Sequence, residues 1–140
     1  MSTKLKDKEA KIQQIIAKLA EESSKGKPIV VEGKKDTQAL RELGINGRIL
    51  TVKSGGKSFL ESTIELEKLG TSEVILLLDL DRRGKEGTFR LKRNLEGVRI
   101  KANTKFWTDL QGLVGRDIKC IEGLTTYLNT LHQKAMRPSS

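Results

Sequence analysis

Val74-Ile75-Leu76-Leu77-Leu78-Asp79-Leu80-Asp81-Arg82-Arg83-Gly84 sets five aliphatic residues directly against two carboxylates, two arginines and a glycine. The apolar run is too short to span a membrane and does not alternate with polar residues. It reads as a strand buried on both faces of a parallel sheet. Asp79 and Asp81 then stand at its carboxyl end, where ligands bind in open α/β sheets. Residues two apart on an extended chain point the same way, so both carboxylates enter one small volume. At about 4 Å and an effective dielectric of roughly 20, two such charges repel by about 4 kcal/mol. A divalent cation relieves that repulsion. Carboxylate oxygens suit Mg²⁺, which takes one or two of them and fills its other positions with water and substrate phosphate.

The flanking sequence repeats a strand-then-helix pattern. Upstream, Leu5, Ile12, Ile15, Ile16 and Leu19 recur at helical spacing, predicting an amphipathic helix over 4–22 that ends at Gly26 and Pro28. Ile29-Val30-Val31 is a short β-branched strand; Glu32-Gly33 makes a turn, and a helix runs from Thr37 to Leu43. Arg48 to Val52 gives a second strand, and Phe59 to Leu69 a second crossover helix. Gly55-Gly56-Lys57-Ser58 lies between them, but a P-loop would need glycine at the position held by Thr51. What remains is a turn that can bind one phosphate at a helix N-terminus, or simply a glycine turn with a solvated lysine. After Gly84 a helix is expected to about Asn94, ended by Glu96-Gly97, then a strand over Val98 to Lys101, then helices over Asn103 to Leu113 and Leu124 to Ala135. Alternating strands and helices on short links predict a three-layer α/β fold with a mainly parallel sheet.

Bulk composition narrows the function classes. With 140 residues, 32% of them charged and a net charge of +9, the chain fits one domain whose surface attracts polyanions. The positive charge is concentrated: from Arg82 to Lys105 nine basic residues face only Glu86 and Glu96, a local excess of seven. The amino-terminal lysines are not followed by an apolar segment, so the expected location is cytoplasmic, with no membrane partner. Cys120 and His132 stand alone in their types, which excludes an internal disulfide and a cysteine- or histidine-rich zinc site. Cys120 is expected to be a small buried hydrophobe.

Three acids after two strands, together with their flanks, resemble the Toprim domain shared by topoisomerases, bacterial primases, OLD-type nucleases and recombination-mediator proteins. Val31 to Leu40 is similar to the family's first motif, an acidic residue and glycine followed by Asp and a helix of small residues. Leu78 to Gly84 is similar to its second, an Asp-x-Asp with a trailing glycine. The resemblance spans about Pro28 to Lys101 and is to the small stand-alone archaeal proteins of the family, related in style to the nuclease that matures 5S ribosomal RNA. It implies a Rossmann-like four-stranded sheet with extra terminal helices. The expected organisation is an N-terminal helix and linker over 1–27, the Toprim domain over 28–125, and a C-terminal helix with a loose tail over 126–140.

The resemblance also implies roles. Asp79 and Asp81, with Glu32, would hold Mg²⁺, and Glu32 would be the general acid or base. Asp36 is expected to orient the turn. Lys34, Lys35, Lys57, Arg82, Arg83 and Lys85 are the candidates for phosphate contacts. Tyr127 and His132 lie far from the acids in sequence, which argues against a covalent tyrosine mechanism. The segment Lys85 to Phe89 departs from the family's alanine-rich pattern, so the packing of that helix is expected to differ. The partner implied is nucleic acid, RNA before DNA on family grounds, with RNA-processing proteins as further partners. Several readings stay open: a Mg²⁺-dependent phosphodiesterase in RNA processing, a non-catalytic RNA-binding module, a DNA-nicking or primase-like accessory protein, and a structural protein whose acids are neutralised by lysines.

Overall fold

Alternation within two short strands sorts the core onto two sides. In β1 (Ile29–Val31), Ile29 and Val31 join one apolar cluster and Val30 the other. Across β3 (Glu73–Leu76) and its extension, Ile75 and Leu77 join the first cluster while Val74, Leu76 and Leu78 join the second. All five residues from Val74 to Leu78 are fully buried, as expected of a strand covered on both faces. The computed structural model describes residues 3–52 and 58–137.

The sheet also contains β2 (Ile49–Thr51) and β4 (Lys101–Asn103), in the order β2-β1-β3-β4, with every pairing parallel. Ile29 stands opposite Ile49 on one side and Ile75 on the other, and Val74 opposite Ala102. One face is covered by α1 (Thr3–Ser24), α2 (Lys34–Glu42), α5 (Lys105–Val114) and α6 (Leu124–Met136). The other is covered by α3 (Phe59–Lys68) and α4 (Arg82–Gly97). Ile12, Ile16 and Leu19 anchor α1, each contributing about 1.5–3 kcal/mol by leaving water. The α/β, Rossmann-like fold with helices on both faces of a four-stranded sheet is as expected. No helix among the described residues is long and apolar enough to cross a membrane.

Several boundaries differ from expectation for identifiable reasons. Helix α2 starts at Lys34 rather than Thr37, because Asp36 accepts the Gly33 N–H at 3.1 Å and closes the first turn early. Helix α4 starts at Arg82, before Gly84, because Asp81 is its N-cap and accepts the Gly84 N–H at 2.8 Å. At the other end α4 runs through Gly97, where a stop was expected. The stop comes instead at Arg99, which adopts the left-handed conformation (φ +64°), while Ile100 N–H reaches back to Leu95 O at 2.9 Å. The strand expected over Val98 to Lys101 is therefore displaced to Lys101–Asn103, and α5 begins at Lys105.

Within the Lys85 to Phe89 segment, Gly87 is where α4 meets α3. A Cβ there would lie 3.0 Å from Cζ of Phe59, so the missing side chain makes room for the ring between α3 and α4. The expected phosphate turn at Gly55, Gly56 and Lys57 lies outside the described residues. Ser58 caps α3 by accepting the Glu61 N–H at 3.1 Å.

Candidate nucleic-acid and metal site

From β1 the chain crosses over one face through α2 to reach β2. From β3 it crosses over the other through α4 to reach β4. Adjacent strands whose connections leave in opposite directions open a crevice at their carboxyl ends, the topological switch point where α/β proteins bind ligands. Glu32 follows β1 there, and Asp79 and Asp81 follow β3. All three line one cavity of about 550 Å³, together with Arg83, Arg90 and Phe59. The N-terminus of α4, with its partial positive charge, opens beside them.

The Asp79-Leu80-Asp81 turn is held at every residue. Trp107 Nε1–H donates to the Asp79 carbonyl at 3.0 Å. Leu80 is buried, and its N–H donates to Lys119 O at 2.6 Å. Asp81 spends Oδ1 on the Gly84 N–H, which fixes the plane of its carboxylate. Gly84 itself presses on the strand end, since a Cβ there would fall 1.7 Å from Asp79 O. Such a turn is preorganised rather than assembled on binding.

The acids suit a hard cation in chemistry and number. Two carboxylates two residues apart, with substrate oxygens to complete the shell, is how Mg²⁺ is commonly held. Among the described residues no three His, Cys, Asp or Glu side chains form a ready metal-binding group, so a cage of protein ligands alone is not present. Asp36 is buried and serves structure, as expected. Its Oδ2 takes the Gly33 N–H and its Oδ1 the Glu122 N–H at 2.9 Å, tying the 3-10 turn Ile121–Gly123 to α2.

The basic candidates fall into two groups. Arg83 lines the acidic cavity, while Arg82 and Lys85 line a neighbouring hollow of about 610 Å³ that also includes Phe89 and Trp107. Asp81 and Glu86 line both, so the two hollows share the first turns of α4. The Arg82 side chain is 92% exposed, and its ion pair with Glu86 at 3.4 Å contributes little. Lys34 and Lys35 are exposed on the first turn of α2. Lys57 lies outside the described residues.

Sequence reasoning missed Trp107, Phe59 and Arg90 as parts of the site. They come from other elements, and no local spacing ties Trp107 to Asp79 across 28 residues. Cys120 was also misplaced: it is half-buried beside the site rather than in the core. Burial, a hydrogen bond from Sγ to Glu122 at 3.5 Å, and the charges of Glu122, Asp79 and Asp36 push its thiol up to about 11. The thiolate is therefore scarce at neutral pH. Alkylation by iodoacetamide at pH 8 should run about tenfold slower than for a free thiol, the scarcer thiolate being partly offset by its greater nucleophilicity, and a free-thiol rate would show that Cys120 is not shielded in this way.

Residues 27–107 match the model of the Toprim domain. A UPF0292 protein of Methanosarcina acetivorans is 34% identical over 89% of this chain and 84% of its own length. One of Methanocaldococcus jannaschii is 33% identical over 85% and 91%. A solved structure of a protein from Aquifex aeolicus superposes with a TM-score of 0.63 at 27% identity, covering 78% of this chain and 94% of that one. The function that goes with this domain is nucleic-acid-related and draws on metal-binding acids. With three acids gathered at the switch point, a glycine pressed against the second motif and a domain match over more than half its length, the chain belongs to the Toprim domain family and is akin to the small archaeal UPF0292 proteins.

Proposed function

We propose that the protein binds RNA across the first turns of α4 and cleaves a phosphodiester bond at the acidic cavity with the help of Mg²⁺. One observation carries the reading: Glu32, Asp79 and Asp81 share a cavity with Arg83 and Arg90, so acids able to hold a cation stand beside cations able to hold a phosphate. Asp79 and Asp81 would hold Mg²⁺, which when bound neutralises charge on the phosphate. Arg83, with Arg82 and Lys85 beyond it, orients the strand by its backbone. Glu32, on the neighbouring strand end, moves the proton at the attacking or leaving oxygen. The preference for RNA over DNA rests on the family likeness alone.

The testing experiment is to identify the nucleic acid that co-purifies from native cells and to assay its cleavage with and without Mg²⁺. Metal-dependent cleavage supports the reading. Tight, salt-sensitive binding with no cleavage under any divalent ion leaves a non-catalytic RNA-binding module. The basic face has its own expected result. The double change Arg82→Glu and Arg83→Glu should weaken RNA binding at least tenfold at low salt. It should also flatten the slope of log affinity against log salt by about 1 to 2. Unchanged affinity in fluorescence anisotropy would move the nucleic-acid face elsewhere.

A further inference from the structure

We infer that Phe59 and Arg90 form a base-stacking subsite in the wall of the acidic cavity, so that the protein selects an unpaired nucleotide over a base-paired one. The inference rests on the RNA-binding reading above and adds to it the class of substrate.

Phe59 opens α3 and is only partly buried, with its ring contributing to the same cavity as Glu32, Asp79 and Asp81. Arg90, on the exposed side of α4, lies over that ring with its Cζ 5.6 Å from the centroid. Of the five aromatic residues in the chain, Phe59 lines the acidic cavity, whereas Phe89 and the buried Trp107 line the neighbouring hollow and Phe106 is buried in the core. Gly87, a glycine inside α4 at a position where alanine would be the better helix former, leaves the Phe59 ring its room.

A nucleotide has the matching parts, a flat base joined through its sugar to a phosphate. The base suits the phenyl and guanidinium planes, on which any of the four bases can stack. The phosphate suits Arg83 and the cation-holding acids. A volume of about 550 Å³ lies in the range of sites that enclose one small ligand. A base inside a duplex is already stacked on both faces and has no plane to offer, so discrimination against double strands follows.

The test titrates the full chain with single-stranded RNA carrying one 2-aminopurine, and with the same strand annealed to its complement, at low salt without added metal. The wild type should change 2-aminopurine emission in the single strand only. Phe59→Leu, which keeps apolar packing against Gly87, should weaken single-strand binding about tenfold and leave duplex binding within twofold. Arg90→Lys keeps the charge on an exposed residue but loses the plane, and should weaken single-strand binding several-fold with the same selectivity. Single-strand affinity unchanged in both variants, or equal losses on single strand and duplex, would overturn the subsite while leaving RNA binding in place. A wild type that binds neither species would remove the RNA-binding reading and this inference with it.

Discussion

Gly84→Ala should lower the unfolding midpoint by roughly 10 °C, although alanine is the better helix former. Gly84 sits in the first turn of α4, where exchanging glycine for alanine ordinarily stabilises by about 1 kcal/mol. Here the new methyl would fall 1.7 Å from Asp79 O and 2.4 Å from its carbonyl carbon. Neither atom is the loose end of a side chain. Asp79 O is held by Trp107, and Gly84 N–H is held by Asp81, so relief requires the start of α4 to move away from β3 and break one of these bonds. Overpacking of this kind costs about 3 kcal/mol, and a lost buried hydrogen bond about 1 more. For a chain of this length each kcal/mol moves the midpoint by about 3 °C. Gly112→Ala is the control, because nothing lies within 4 Å of a Cβ there; it should be neutral or slightly stabilising in the same thermal melts. A Gly84→Ala protein as stable as the wild type would mean that α4 does not bear on Asp79, and the preorganised turn would be lost as an idea.

That glycine marks how far the sequence could be read. The strand from Val74, the two acids at its end and the parallel α/β plan were legible because they depend on local pattern: an unbroken apolar run, a spacing of two, alternating periods. Asp36 was legible as a turn-orienting residue for the same reason, although its bond to Glu122 N–H was not. Contacts between elements left no local trace. Trp107 reaches Asp79, Lys119 reaches Leu80, and Gly87 yields to Phe59, each across a separation that only the folded topology sets. The displaced fourth strand failed differently. Gly97 looks like a helix stop, but Arg99 takes the left-handed turn that glycine usually supplies, and nothing in the side chain of an arginine announces it.

Glu32→Gln separates the two chemistries assigned to the cavity. The amide keeps the size and hydrogen-bonding shape of the carboxylate but neither carries a negative charge nor shuttles a proton. If Glu32 moves the proton at the reacting oxygen, single-turnover RNA cleavage in Mg²⁺ should fall by about 10²- to 10⁴-fold. Affinity should stay within about twofold or tighten slightly at low salt, because the basic contacts on α4 are untouched and a negative charge near the phosphate has been removed. Asp79→Asn provides the contrast. It removes charge from a residue proposed to hold the cation, so its cleavage defect should shift with Mg²⁺ concentration, whereas that of Glu32→Gln should not. Cleavage by Glu32→Gln at the wild-type rate would strip Glu32 of its role. A defect in that variant that excess Mg²⁺ repairs would instead assign Glu32 to the metal, joining it to Asp79 and Asp81 as a third ligand across the two strand ends.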